Sequence, residues 1–99
     1  MPRVLLIGLD CVPPLLAFER YRAQMPELGR LIEQGCHAPL RSSTPPITVP
    51  AWASLLSGYD PGELGLYGFR KRVRGSYDLQ LVSSDDVQRP WLWEQLRSE

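Results

Sequence analysis

The chain has 99 residues, a mass of 11.2 kDa and 43% hydrophobic residues, which fits a small folded domain, or part of a larger one, and excludes a disordered chain. Eleven basic and eleven acidic side chains give a net charge of zero, so the composition indicates neither nucleic acid nor an anionic membrane as a partner. No apolar run approaches the roughly 20 residues of a membrane-spanning helix, and we expect a cytoplasmic protein.

The first half of the chain predicts two strands separated by helix. Residues 4–9 form an unbroken apolar run, which is typical of a strand buried on both faces of a parallel sheet. Residues 14–34 are expected to be helical, with an interruption at Pro26, and Gly35 is a natural end for the second helix. Residues 36–43 are predicted to form a second strand.

The second half predicts helix, strand and helix. Residues 49–57 have helical character and Gly58 can end that helix, while residues 59–62 have turn composition. A weak strand is predicted at residues 77–82, and Pro90 begins a last helix. The alternation of strand and helix predicts an α/β fold with a mostly parallel sheet and helices on its faces.

Asp10 and Thr48 are the residues placed best for chemistry. Asp10 follows the first predicted strand, and ligands of open α/β sheets gather at the carboxyl ends of strands, where a carboxylate can hold a cation. The alternative is that Asp10 lies in a turn or caps the next helix. Thr48 precedes a helix, so its hydroxyl is expected to be an N-cap; alternatively it faces a bound anion, or acts as a nucleophile that a metal activates.

Several other side chains are interpreted as structural. His37 is the single histidine and cannot complete a histidine-rich metal site. Cys11 and Cys36 are too few for a disulfide framework, and we expect reduced, partly buried thiols. The basic stretch at residues 70–74 predicts a solvated strand or loop, with capture of an anionic substrate as the alternative. Tryptophans 91 and 93 are expected to be core or covering residues.

Five segments together resemble the N-terminal part of the type I phosphodiesterase/nucleotide pyrophosphatase family of the alkaline phosphatase superfamily. The most specific is the third, because its prolines, its threonine and its closing Ser-Gly pair fall in the family's order. The segments are residues 4–10, 28–35, 44–58, 60–62 and 65–69.

The resemblance implies a metal-dependent hydrolysis of a small-molecule phosphoester. Family members hold two divalent metal ions, usually zinc and here with manganese as a further option, at the carboxyl edge of a parallel sheet. By resemblance Asp10 is a metal ligand, and Thr48 is both a metal ligand and the nucleophile that forms a covalent phospho-enzyme. The resemblance assigns no substrate-binding residue.

Three positions depart from the family's pattern. Cys11 stands where glycine is usual, which weakens the expectation of a tight turn after Asp10. Ala51 replaces an asparagine that contacts the phosphate in nucleotide pyrophosphatases, and Leu64 stands at a position often filled by histidine. Nucleotide specificity is therefore not expected, and a different phosphoester, or a sulfate or phosphonate ester, stays open.

Length is the largest departure, since family members are several times longer and carry their other metal ligands downstream. We expect residues 1–99 to be a partial alkaline-phosphatase-like domain, truncated at its C-terminus, which is inactive until a C-terminal segment or chain complements it. The alternative is a non-catalytic truncated chain or interaction module. A flavodoxin-like nucleotide binder is a third hypothesis, which no phosphate-loop motif supports.

Overall fold

A computed structural model of the chain describes residues 3–97, which fall into two compact units, Met1–Leu40 and Arg41–Glu99. The first unit contains a π-helix at Leu15–Arg20, a 3₁₀-helix at Arg22–Gln24 and an α-helix, α1, at Pro26–Gln34. None of the helices formed by the described residues is long and apolar enough to cross a bilayer.

The helical part of the first unit follows the sequence prediction. Pro26 opens α1, where its missing N–H costs no intrahelical hydrogen bond, and Gly35 is the residue at which α1 ends. Ile32 is buried on the inner side of α1. The predicted interruption at Pro26 is therefore confirmed, because the proline's local geometry decides where one helix stops and the next begins.

The strand predictions for the first unit are wrong. Residues 4–9 and 36–43 adopt no regular secondary structure, and Val4 and Leu5 are 93% and 84% exposed. A strand is stabilised by hydrogen bonds to a neighbouring strand, and no other strand of residues 3–40 is present to provide them. An apolar pattern alone does not form a sheet.

The second unit is built around two consecutive helices. Helix α2 spans Thr48–Ser57 and ends at Gly58, which has a left-handed φ of 82°; the four-residue helix α3 follows at Pro61–Leu64. Asp60 caps α3, and its side chain accepts a hydrogen bond from the Glu63 N–H at 2.9 Å. The small core joins residues of α2 and α3 to the segment after them, and consists of Ala53, Leu64 and Leu66, with Tyr59, Val82 and Val87 packed against it.

A β-hairpin follows. Strand β1, Arg70–Arg72, pairs with strand β2, Leu79–Leu81, in the antiparallel direction. A 3₁₀-helix at Ser84–Asp86 and helix α4 at Leu92–Arg97 complete the described chain. The solvated basic strand and the weak strand near residues 77–82 are thus confirmed.

The predicted fold class is wrong for the described residues. Residues 3–97 form one two-stranded antiparallel sheet, not the mostly parallel sheet with helices on its faces that is expected of an α/β, alkaline-phosphatase-like N-terminal portion. The reason is the connection: only residues 73–78 join the strands, and such a short connection permits antiparallel pairing, whereas a parallel pair needs a long crossover. Tryptophans 91 and 93 stack on each other, and Trp93 is half exposed rather than part of the core.

Candidate functional site

Thr48 is the first residue of α2 rather than its cap. The N-cap is Ile47, whose backbone is extended, and no side chain caps this helix end. The expectation that the Thr48 hydroxyl is an N-cap is therefore wrong by one position. Because it does not bond to its own helix end, this partly buried hydroxyl is not committed to a capping role.

At the start of α2, two backbone N–H groups donate no hydrogen bond within the helix. The first intrahelical bond at this end runs from the Ala51 N–H to the Ile47 carbonyl, at 2.9 Å. The N–H groups of Thr48 and Val49 therefore have no partner within the helix, whereas Pro50 has no N–H at all. Two donors and the positive end of the helix dipole lie beside the Thr48 hydroxyl, which is an arrangement that stabilises a phosphoryl oxygen.

The segment before α2 is held by proline and serine. The Thr44–Pro45 peptide bond is cis, and the Ser43 hydroxyl donates a hydrogen bond to the Pro45 carbonyl at 3.0 Å. Pro50 is almost fully buried, which fixes the first turn of α2 in the second unit. The burial of Pro50 thus anchors the helical turn that begins with Thr48.

Asp10 lies in a turn of the first unit, as the structural alternative proposed. Its Oδ1 accepts a hydrogen bond from the N–H of Cys11 at 3.1 Å, and Cys11 has a left-handed φ of 57°. The turn therefore forms although cysteine stands where the family usually has glycine. Both the Asp10 carboxylate and the Cys11 thiol are exposed.

The described residues alone do not fit a two-metal centre. Within residues 3–97, no group of three or more His, Cys, Asp or Glu side chains is placed to hold a metal ion. Asp10 belongs to the first unit and Thr48 to the second. A catalytic metal usually has about three protein ligands, so these two oxygen donors are too few for two ions.

The remaining sequence candidates have structural surroundings. His37 is exposed and packs edge-on against Phe18, with ring centroids 5.1 Å apart, which agrees with a structural or solvent-facing role. Cys11 and Cys36 are free thiols, but both are exposed, so the expectation of partial burial is wrong.

One feature of the first unit has no signal in the sequence motifs. An open groove of about 530 Å³ lies beside α1, and most of the charged side chains that line it form salt bridges. Arg22 pairs with Glu33 at 3.3 Å. At the rim, Arg30 pairs with Glu27 at 3.0 Å. These pairs neutralise both arginines, whereas Glu19, which also lines the groove, forms no salt bridge within the described residues.

The chain matches a model of a known protein family. The family model described as type I phosphodiesterase / nucleotide pyrophosphatase matches residues 4–99. No curated protein and no solved structure matches the chain.

Proposed function

Because the chain belongs to the type I phosphodiesterase/nucleotide pyrophosphatase family, we propose that it supplies the nucleophile of a phosphoester hydrolase, and that this nucleophile is Thr48. The family acts on phosphoesters, and its match over residues 4–99 is the observation that carries the proposal. The position of Thr48 at the start of α2 gives the proposal its chemistry.

The proposed reaction has two displacements at phosphorus. The Thr48 Oγ attacks the phosphorus atom of a phosphodiester or phosphomonoester, loses its proton, and forms a phosphothreonine, which keeps the second ester group of a diester, as the bond to the leaving oxygen breaks. The leaving alkoxide takes up a proton and departs as an alcohol. Water then attacks the phosphothreonine, which returns the proton to Thr48 and releases the phosphate product.

The start of α2 favours the charge that develops in both displacements. The N–H groups of Thr48 and Val49 can donate to a non-bridging phosphoryl oxygen, and the helix dipole adds a positive partial charge. Donors that are already fixed by the helix need not reorganise during the reaction, and this preorganisation is the usual source of such stabilisation.

We propose that Asp10 and Thr48 contribute ligands to divalent metal ions, zinc or manganese, whose other ligands come from a complementing C-terminal segment or chain. Such ions, when bound, stabilise an alkoxide and neutralise phosphoryl charge. Because residues 3–97 offer too few ligands, the 99-residue chain alone is expected to be inactive.

The first prediction concerns Thr48. In the native protein, or in the chain mixed with its complementing segment, Thr48→Ala should abolish hydrolysis of bis(p-nitrophenyl) phosphate while leaving the circular dichroism spectrum unchanged. Thr44→Ala is the matched control, because it removes an exposed threonine hydroxyl from the same motif and should keep turnover. Retained turnover in Thr48→Ala would refute the nucleophile assignment.

The second prediction concerns Asp10. Asp10→Asn should lower the zinc content of the active protein, measured by elemental analysis after dialysis, because a neutral amide is a weaker ligand than a carboxylate. Asp85→Asn changes another exposed aspartate and should leave the zinc content as it is. Equal metal content in Asp10→Asn and the wild type would contradict the metal-ligand role.

A non-catalytic chain or interaction module is the second candidate function. The absence of a three-ligand group within residues 3–97 favours it. The intact mass of the native protein separates the two: a mass well above 11.2 kDa together with phosphodiesterase activity supports the enzyme. A mass near 11.2 kDa, with no activity and no complementing chain, supports the module.

A further inference from the structure

The β-hairpin sorts its side chains by face. In the antiparallel register Arg70 lies opposite Leu81 and Arg72 lies opposite Leu79. Directly opposed residues share a face of the sheet, and alternate residues of a strand share a face as well. Arg70, Arg72, Leu79 and Leu81 therefore occupy one face, which we call the basic hairpin face. Lys71 and Gln80 occupy the other.

The charges on the two faces differ in how they are neutralised. Lys71, on the other face, forms a salt bridge with Asp86. Arg70 and Arg72 form no salt bridge with any carboxylate of residues 3–97, and the same holds for Arg74 just beyond β1. Uncompensated positive charge therefore lies on the basic hairpin face, whereas the tip carries the Asp78 carboxylate as well as Arg74.

Large apolar side chains lie beside these cations. Leu79 and Leu81 are 59% and 72% exposed, although they stand directly opposite the two arginines. Tyr77 is 89% exposed, and the Arg72 guanidinium lies 5.1 Å from the centre of its ring. Exposed leucines and a tyrosine are unfavourable in water, whereas the arginines beside them are hydrated. A partner that offers anionic groups next to an apolar layer would bury the first and pair with the second.

We propose that the basic hairpin face docks reversibly on a bilayer that contains anionic phospholipids. Guanidinium groups bind lipid phosphates, leucines enter the acyl boundary, and tyrosine is favoured at the level of the headgroups. A nucleic acid would match the arginines, but it would leave Leu79 and Leu81 in water. This proposal does not depend on phosphoester hydrolysis, and it rests on the sorting of charge within the hairpin rather than on the net charge.

The test is co-sedimentation of the full chain with vesicles. The chain should bind vesicles with 30% phosphatidylglycerol in phosphatidylcholine, bind pure phosphatidylcholine at least tenfold more weakly, and lose affinity as salt is raised. The double variant Arg70→Gln/Arg72→Gln should lower the partition coefficient roughly 30-fold, since each surface cation contributes about a fivefold factor. Leu79→Ser/Leu81→Ser should lower it roughly tenfold.

The matched control is Arg20→Gln/Arg41→Gln, which removes two exposed arginines elsewhere and changes the net charge equally. It should bind like the wild type, and circular dichroism should show that all variants fold. Equal binding to neutral vesicles, wild-type binding by the Arg70/Arg72 variant, or no vesicle binding would each overturn the proposal. A second combination of results would also overturn it. If the chain binds a single-stranded oligonucleotide, and the leucine substitutions change neither this binding nor the binding to vesicles, the face is a nucleic-acid site rather than a membrane site.

Discussion

At the scale of single residues, two serines of α2 differ in what their hydroxyl groups contact. The buried Ser57 donates a hydrogen bond to the Ala53 carbonyl at 2.6 Å and accepts one from the Tyr59 N–H at 3.3 Å. The hydroxyl of Ser54 is buried without a hydrogen-bond partner in the described part of the chain. The two hydroxyls should therefore contribute to stability with opposite signs.

We expect Ser57→Ala to lower the free energy of unfolding by about 1–2 kcal/mol, because the Tyr59 N–H loses its acceptor at the end of α2. Ser54→Ala is the paired variant, and it should leave stability unchanged or raise it by up to about 1 kcal/mol, since an unsatisfied hydroxyl is removed. Urea denaturation of both variants measures the difference. Equal losses in the two variants would contradict the expected difference between a hydrogen-bonded and an unpaired hydroxyl.

The two ends of α2 differ in how well the sequence predicts them. Gly58 was identified as the end of α2, and its left-handed backbone explains why glycine suits that position. The predicted start of α2 at Val49 is one residue too late, because the extended Ile47 precedes the helix and no side chain caps it. Cap residues are recognised by type, and a helix that begins without a capping side chain gives no such signal.

At the scale of elements, a salt bridge and a capping box connect the hairpin to the 3₁₀-helix. Lys71 of β1 pairs with Asp86, and the other carboxylate oxygen of Asp86 accepts a hydrogen bond from the Ser83 N–H at 2.9 Å. The hydrogen bond from Lys71, followed by that from Ser83, holds the pKa of Asp86 below its ordinary value. The ionised form is therefore favoured in the folded chain.

This lowered pKa predicts a pH dependence of stability. The contribution of Asp86 should be fully present above its unfolded pKa, near pH 4, and should be lost as pH falls through the lower folded pKa. Unfolding of Asp86→Asn should therefore depend less on pH between neutral pH and about pH 3 than unfolding of the wild type. Asp85→Asn leaves the Lys71–Asp86 pair intact and should keep the wild-type profile. Identical profiles for all three proteins would contradict this role.

Helices were predicted better than strands, and the reason is physical. The bounds of α1 and α2 follow from prolines and glycines within a few residues of each end, so local sequence decides them. The apolar run at residues 4–9 has the composition of a buried strand, but no other strand within residues 3–40 is present to pair with it. Pairing is a non-local property, and the pattern of one segment cannot reveal whether its neighbour is present.

At the scale of the whole molecule, net charge and charge distribution lead to different expectations. A total of zero predicted neither nucleic acid nor a membrane as a partner, because positive and negative side chains cancel in the sum. In the second unit, the arginines of β1 nevertheless share one face without a carboxylate of residues 3–97 beside them. Composition records how many charges there are, and only the register of the hairpin records which face they occupy.

Whether the chain holds enough ligands for a metal ion could not be predicted for a similar reason. The family motif identifies Asp10 and Thr48 by resemblance. Asp10 lies in a turn, and Thr48 is the first residue of α2. How many side chains of residues 3–97 come together around one ion depends on the folded structure. Two motif positions do not determine that number. Motif recognition therefore assigns roles to residues without showing that the site is complete.

The exposed apolar run predicts self-association. Residues 4–9 combine large aliphatic side chains with no charge and no proline, which is the composition of segments that pair between chains. We expect the weight-average mass in sedimentation equilibrium to rise with concentration, and Leu5→Lys/Ile7→Lys to suppress the rise. Leu31→Lys/Leu40→Lys, which changes two other exposed leucines, should not suppress it. A monomer at all concentrations would disprove this expectation.

The division into two units has a spectroscopic consequence. All three tryptophans, at positions 52, 91 and 93, lie in Arg41–Glu99, whereas both cysteines lie in Met1–Leu40. Tryptophan fluorescence therefore reports on the second unit alone, and because both thiols are exposed, an environment-sensitive fluorophore attached to them can report on the first unit. Because the natural sequence supplies the tryptophans and the two attachment sites, one denaturant titration of the labelled protein can determine whether the two units lose their structure together or in sequence.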